Sequence, residues 1–214
     1  MSAHVVRTLA QLDDALTLAP ERHLSTRLVS GDGAPLSTLV TARSERIEGD
    51  DLARAVVFDT THARDGVLDV RAALRASAPP SSAKKRVRVG DLLVSRLRPY
   101  LRQIAFVHPA LDEECDGRPM ACSTEFYVLE PLATSAKRAS LAFLLPWLLG
   151  AEAQSILAAA QEGGHHPRVP REVLLSMRVE QVRLRARTRL SSQVERALHD
   201  AIDARRRLSR LIEE

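Results

Sequence analysis

Residues 84 to 107 read KKRVRVGDLLVSRLRPYLRQIAFV, apolar pieces of strand length that carry an excess of arginine. Val87 to Val94 and Leu101 to Val107 concentrate β-branched and aromatic side chains, and Gly90-Asp91 is a turn signal. The stretch therefore reads as a strand, a turn, a returning strand, and a loop bearing Arg96, Arg98 and Tyr100, a hairpin that gathers its basic side chains at one edge. From Lys84 to Arg102 the net charge is +6 over 19 residues, against +4 for the whole 214-residue chain. Arginine suits anion recognition because its planar fork holds two phosphate oxygens, or O6 and N7 of guanine, at once. A solvated charged hairpin would carry the same residues with no ligand.

Working outward, Leu9, Leu12, Ala15 and Leu16 place a short amphipathic helix over Thr8 to Leu18, ending before Pro20. After Gly31-Asp32-Gly33, strand-length apolar pieces alternate with turns up to about residue 130, the clearest others being Val56 to Phe58 and Thr124 to Leu129. Beyond Pro131 the texture turns helical: Ala139 to Ala160 is rich in Leu and Ala, with a kink or split expected near Pro146 or Gly150, and stops at Gly163-Gly164. Val169 to Val182 returns toward the body. From Arg187 onward Leu190, Val194, Ala197, Ala201, Ala204, Leu208 and Leu211 step by four and three, the seam of a helix that packs along another, widened by Leu198, Ile202 and Ile212. The expected fold class is α/β (α+β): a β-rich body with packed helices over residues 1 to 182, then a coiled-coil-type helix over 183 to 214.

Composition narrows the function. An apolar share of 45% is enough for a real core. Only Lys84, Lys85 and Lys137 are lysines among 31 basic residues, so the overall charge says less than its placement. The longest apolar run, Leu141 to Leu149, contains Pro146 and falls short of the roughly 20 residues that cross a bilayer. Asp13 and Asp14 interrupt the N-terminal segment, and two cysteines suit a reducing compartment, so the expected location is the cytoplasm.

Enzyme signatures are sparse. The lysines do not follow Gly as in a phosphate loop, no Gly-x-Ser-x-Gly elbow occurs, and no acid precedes a lysine by two residues. Pro79-Pro80 leads into Ser81, unlike the aromatic-ended loop of a base methyltransferase. Cys115 and Cys122 with His165 and His166 hold zinc-binding atoms, but their spacing is not that of a zinc knuckle. Asp91, Glu125 and His165 lack a nucleophile motif to serve. The chain is expected to be no enzyme and to need no metal or cofactor.

Three stretches in order, GDLLVSRLRPYLRQIAFV (90 to 107), CSTEFYVLEP (122 to 131) and GGHHPRVPREVLLSMRV (163 to 179), resemble the target recognition domain of type I restriction-modification specificity subunits, and the arginine-rich helix from about Arg183 resembles the family's helical spacer. Together they cover about residues 30 to 214. The resemblance implies a non-catalytic reader of double-stranded DNA whose helix docks a methyltransferase subunit and, with it, a translocase or nuclease subunit. Family members usually carry two recognition domains and two spacers. This chain has room for one of each, so the resemblance implies a half-sized subunit that homodimerises through its C-terminal helix or acts beside a second recognition protein, in restriction-modification or a related phage-defence system.

Carried onto this sequence, the pattern makes Arg96, Arg98, Tyr100 and Arg102 the leading DNA contacts, with Lys84, Lys85 and Arg86 on the approaching strand. Ser95, Ser123, Thr124, His165, His166 and Arg168 are further candidates, and Glu125 either orients an arginine or accepts from cytosine N4. The partner helix would use Leu190, Val194, Ala197, Leu198, Ala201, Ile202, Leu208 and Leu211. The rival reading is a protein-interaction adaptor that uses this helix and binds no DNA.

Overall fold

The computed structural model describes residues 32–76, 82–132, 140–163 and 167–213, so the helix expected at Thr8 to Leu18 lies outside the described residues. Among the described residues twelve short strands form: β1 (Gly33–Pro35), β2 (Val40–Arg43), β3 (Arg46–Ile47), β4 (Val56–Phe58), β5 (Ala63–Arg64), β6 (Val67–Leu68), β7 (Lys84–Val87), β8 (Leu92–Ser95), β9 (Ile104–Phe106), β10 (Met120–Ser123), β11 (Phe126–Pro131) and β12 (Arg178–Glu180). They build two four-stranded sheets, β2-β11-β8-β9 and β3-β7-β10-β4, and two ribbons, β1-β12 and β5-β6. Helices pack on these sheets and a long helix, Arg187–Glu213, follows them, which gives the mixed α/β class expected.

The core lies under the first sheet. Leu92, Leu93 and Val94 of β8 and Ile104, Ala105 and Phe106 of β9 are all buried, the near-continuous apolar run of strands covered on both faces. Ala142–Leu149 packs over β9 and against the C-terminal helix. The Leu/Ala-rich segment splits at Gly150, where helices Leu145–Leu149 and Ala151–Ala159 meet at 72°. Among the described residues no single helix is long and apolar enough to cross a membrane. Gly33 is required where it stands, because a Cβ there would lie 2.4 Å from the Val179 carbonyl oxygen across the β1-β12 ribbon.

The basic hairpin expected over residues 84 to 102 does not form. β7 and β8 belong to different sheets; β8 pairs instead with β9 and β11. The run Val87 to Val94 breaks because Asp91, 3% exposed, is satisfied by a turn rather than by solvent. Its Oδ2 accepts from the Arg88 N–H at 2.7 Å and pairs with the buried guanidinium of Arg43, which also reaches Glu130 at 2.5 Å and the Arg86 carbonyl at 3.3 Å. One side chain of β2 thus ties β7, the turn and β11 together. Burial pushes the Asp91 carboxyl up to about 6, against the pull of the Arg88 N–H and of Arg43.

The C-terminal helix is also not a single free seam. Leu198 and Ile202 are buried in the body's own core, with Leu190 and Val194 packed at its edge. Polar contacts flank them: Ser191 Oγ donates to the Ser140 carbonyl at 3.2 Å, Ser140 Oγ donates to Glu195 at 2.5 Å, and Arg206 pairs with Glu114 at 2.8 Å and Glu113 at 3.2 Å. Ala197, Ala201, Leu208 and Leu211 are exposed, the last two at 59% and 70%, with Leu208 bordering a groove against Val67, Leu68 and Arg71 of the body. The eight residues expected to share one interface therefore divide between two stripes, because the polar groups at Ser140, Glu113 and Glu114 select the neighbouring stripe for the body.

Removing one member of a buried ion pair strands the other without a partner. Asp91→Ala is expected to destabilise the fold by about 3–5 kcal/mol in urea unfolding, and a loss below about 1 kcal/mol would show that the pair does not hold the two sheets together.

Candidate nucleic-acid interface

The basic side chains separate into neutralised and free groups. Arg86 pairs with Glu45 at 3.1 Å and Asp51 at 2.7 Å, and Arg88 pairs with Glu45 at 2.6 Å, so the positive charge at this end of β7 is matched by acids of its own chain. Lys84 Nζ donates to Ser82 Oγ at 2.8 Å. Lys85, its pKa lowered by burial, donates to the Phe126 carbonyl at 2.6 Å and lies 5.9 Å from the centre of the Tyr127 ring. The seven basic residues from Lys84 to Arg102 are thus distributed over two sheets rather than along one edge.

At the other end of β8 the three stretches quoted from the sequence converge on Glu125. Arg96, just after β8, reaches Glu125 at 2.9 Å, and Arg168 grips both carboxylate oxygens at 3.0 and 2.9 Å. The backbone repeats the junction: the Arg96 N–H donates to the Glu125 carbonyl at 2.9 Å, and the Val169 N–H donates to the Arg96 carbonyl at 2.8 Å. Tyr127 Oη donates to the Val169 carbonyl at 2.7 Å. Hydrogen bonds from Arg168, aided by Arg96, hold the Glu125 carboxyl down at about 2 despite partial burial. Glu125 therefore orients arginines, and two guanidinium groups meet around its carboxylate in a partly solvated node. Its partners lie 29 and 43 positions away along the chain, beyond any local pattern.

From this node projects the loop Arg98 to Arg102. Pro99–Leu101 forms a 3-10 turn anchored by buried Pro99 and flanked by Arg98 at φ 47° and Arg102 at φ 51°. Arginine rarely adopts this left-handed region, which costs on the order of 1–3 kcal/mol per residue, and such strain concentrates at functional sites. Arg98 and Arg102 are exposed and have no ion-pair partner among the described residues. Tyr100 is 62% and Leu101 47% exposed. Beside them a depression of about 580 Å³ is lined by Arg64, Asp65, Leu101, Arg102, Gln103 and Leu149. Arg64 is a cation that the sequence reading missed, since its Asp65-Gly66 neighbours signal only a turn.

The remaining candidates scatter. Ser95 is buried, its Oγ donating to the Leu97 carbonyl at 3.0 Å, a structural hydroxyl. Ser123 Oγ accepts from the Glu125 N–H at 3.3 Å, and Thr124 is exposed in the same turn. His165 and His166 lie outside the described residues. Asp91 and Glu125 stand at opposite ends of β8, about 17 Å apart at roughly 3.4 Å per residue, too far to act as one acid-base pair. Cys115 and Cys122 are buried, and burial pushes both thiols up to about 12.

No protein-family model matches the chain, and no curated protein matches it. Seven chains among solved structures do. One, from a structural account of complex assembly and conformational transition of the type I R-M (restriction-modification) system, is 25% identical with a TM-score of 0.52 over 82% of this chain and 43% of its own length. The chain is thus similar in fold to a component of a type I restriction-modification system, and it spans less than half of the solved chain it matches.

Because its carboxyl sits well below the ordinary value of 4.5, Glu125 contributes stability that is present above that value and is lost as pH falls through about 2. Glu125→Gln is expected to be less stable than the native chain by about 1 kcal/mol at pH 7, both arginines being partly solvated. That gap, followed by urea unfolding, should close between pH 4.5 and about 2; a pH-independent gap would contradict the charged clamp.

Proposed function

We propose that the chain is the DNA-recognition component of a restriction-modification or related phage-defence system. It is a non-catalytic reader, acting in the cytoplasm, that directs a partner methyltransferase, and with it a translocase or nuclease subunit, to a sequence. The observation that carries this reading is the convergence of three distant segments on Glu125, which presents the strained loop Arg98 to Arg102 with two uncommitted guanidinium groups. Likeness to a type I restriction-modification component supports it. In this reading Arg96 and Arg168 are positioned by Glu125 to meet the duplex beside Arg98, Tyr100 and Arg102, while Arg86 belongs to the scaffold.

A single body of this size contacts few base pairs, each good contact contributing about 1–3 kcal/mol of discrimination. Two bodies held by a rigid connection add their readouts. The outward stripe of the C-terminal helix, Ala197, Ala201, Ala204, Leu208 and Leu211, keeps the four-three spacing of a coiled-coil seam and supports self-association as a half-sized specificity subunit.

In salt titrations on duplex DNA, Arg98→Ala combined with Arg102→Ala is expected to weaken binding and to lower the log-log slope by about 2, at roughly 0.9 for each phosphate no longer neutralised. An unchanged slope would remove the loop from the interface, and no affinity for any duplex at low salt would favour the protein-interaction adaptor. For the helix, Ala204→Glu with Leu211→Glu should give a monomer by sedimentation with unchanged thermal stability, whereas Leu198→Ala should cost about 2–5 kcal/mol of stability. A dimer that survives the double change would overturn the seam.

A further inference from the structure

The loop that carries Arg98 and Arg102 also exposes two large side chains. Tyr100 and Leu101 form the tip of the 3-10 turn, 62% and 47% exposed, while Pro99 beneath them is buried. The turn is internally closed: the Leu101 N–H donates to the Arg98 carbonyl at 2.9 Å, and the Arg102 N–H donates to the Pro99 carbonyl at 2.8 Å. At its base the Arg98 N–H donates to the Pro167 carbonyl at 3.3 Å and the Ser95 N–H to the Gln103 carbonyl at 3.0 Å. The tip is thus a short, braced projection rather than a slack loop. An aromatic and an aliphatic side chain held outward in this way lose little conformational freedom on entering an apolar slot.

The charges around the tip indicate what kind of slot it meets. Arg98 and Arg102 flank it, and Arg64 lines the depression next to Leu101 and Arg102, where Asp65 sets one acid against the three arginines. An apolar tip ringed by arginines is poorly suited to a neutral protein groove and well suited to a base stack lying between two rows of phosphates. Apolar side chains inserted at a base step unstack it and kink the duplex, and proteins that do so recover the cost through added backbone contacts.

Resting on the DNA-reading function above, we propose that Tyr100 and Leu101 are a wedge that enters the base stack of a duplex and opens one step, with Arg98, Arg102 and Arg64 holding the phosphates on either side. The wedge makes the deformability of the contacted step part of what is recognised, in addition to base edges.

The test compares two 30-base-pair duplexes of the same sequence at low salt by fluorescence anisotropy, one fully paired and one carrying a single central abasic site, where the stack is already open. The native chain is expected to bind the open duplex about ten-fold tighter, because unstacking no longer opposes binding there. Tyr100→Ala with Leu101→Ala should reduce that preference to less than about two-fold, and Tyr100→Phe should retain it. Arg64→Ala should weaken binding to both duplexes. Equal binding of the two duplexes by the native chain, the outcome for a tip that docks another protein, overturns the wedge and leaves the DNA-reading function standing. A preference that persists in the Tyr100/Leu101 double variant also overturns it. Absence of binding to either duplex removes the DNA-reading function itself and the wedge with it.

Discussion

The buried pair between Arg43 and Asp91 decides how the chain divides. Both groups have left water, and the arrangement is tolerable because each finds further partners: the Arg88 N–H for the acid, Glu130 and the Arg86 carbonyl for the guanidinium. The turn they close sends β7 into one sheet and β8 into the other. As a result the arginines on either side of that turn have different surroundings. Those before it meet Glu45 and Asp51; those after it are carried to the far end of β8, where one carboxylate serves two of them and a short turn frees two more.

The electrostatic logic at that far end is economical. A guanidinium alone on a surface samples many orientations and loses that freedom when it binds. Glu125 fixes Arg96 and Arg168 in advance through charge-assisted bonds and leaves their outer edges solvated. The node is thus ordered before any ligand arrives. Anions would meet a preset arrangement at this place on the body.

Much of this is legible in the amino-acid order, and the exceptions have physical causes. Val56 to Phe58 is a strand within the limits its β-branched and aromatic residues suggest, and the Leu/Ala-rich segment breaks at Gly150 as its composition allows. Residues 87 to 94 look like one strand because Val87, Val89 and Leu92 to Val94 are apolar. What interrupts them is an arginine 48 positions upstream, and no local pattern records it. The left-handed ends of the Pro99 turn are equally invisible, since arginine has no preference for that region. The heptad of the last helix is plain, yet which of two adjacent stripes faces the body depends on hydroxyl and carboxylate groups at Ser140, Glu113 and Glu114, far away in the chain. The SRLRP, CSTEF and HHPR stretches each stand out by themselves; their meeting at one carboxylate requires the three-dimensional arrangement.

The β1-β12 ribbon sets Gly33 opposite Glu180 in antiparallel register. The first and last strands of the described body therefore hold each other, and the final helix starts beside β1 before it packs back on the core through Leu198 and Ile202. A shift of that helix would thus be felt at both ends of the body together, at the ribbon through the backbone and at the core through the two buried side chains.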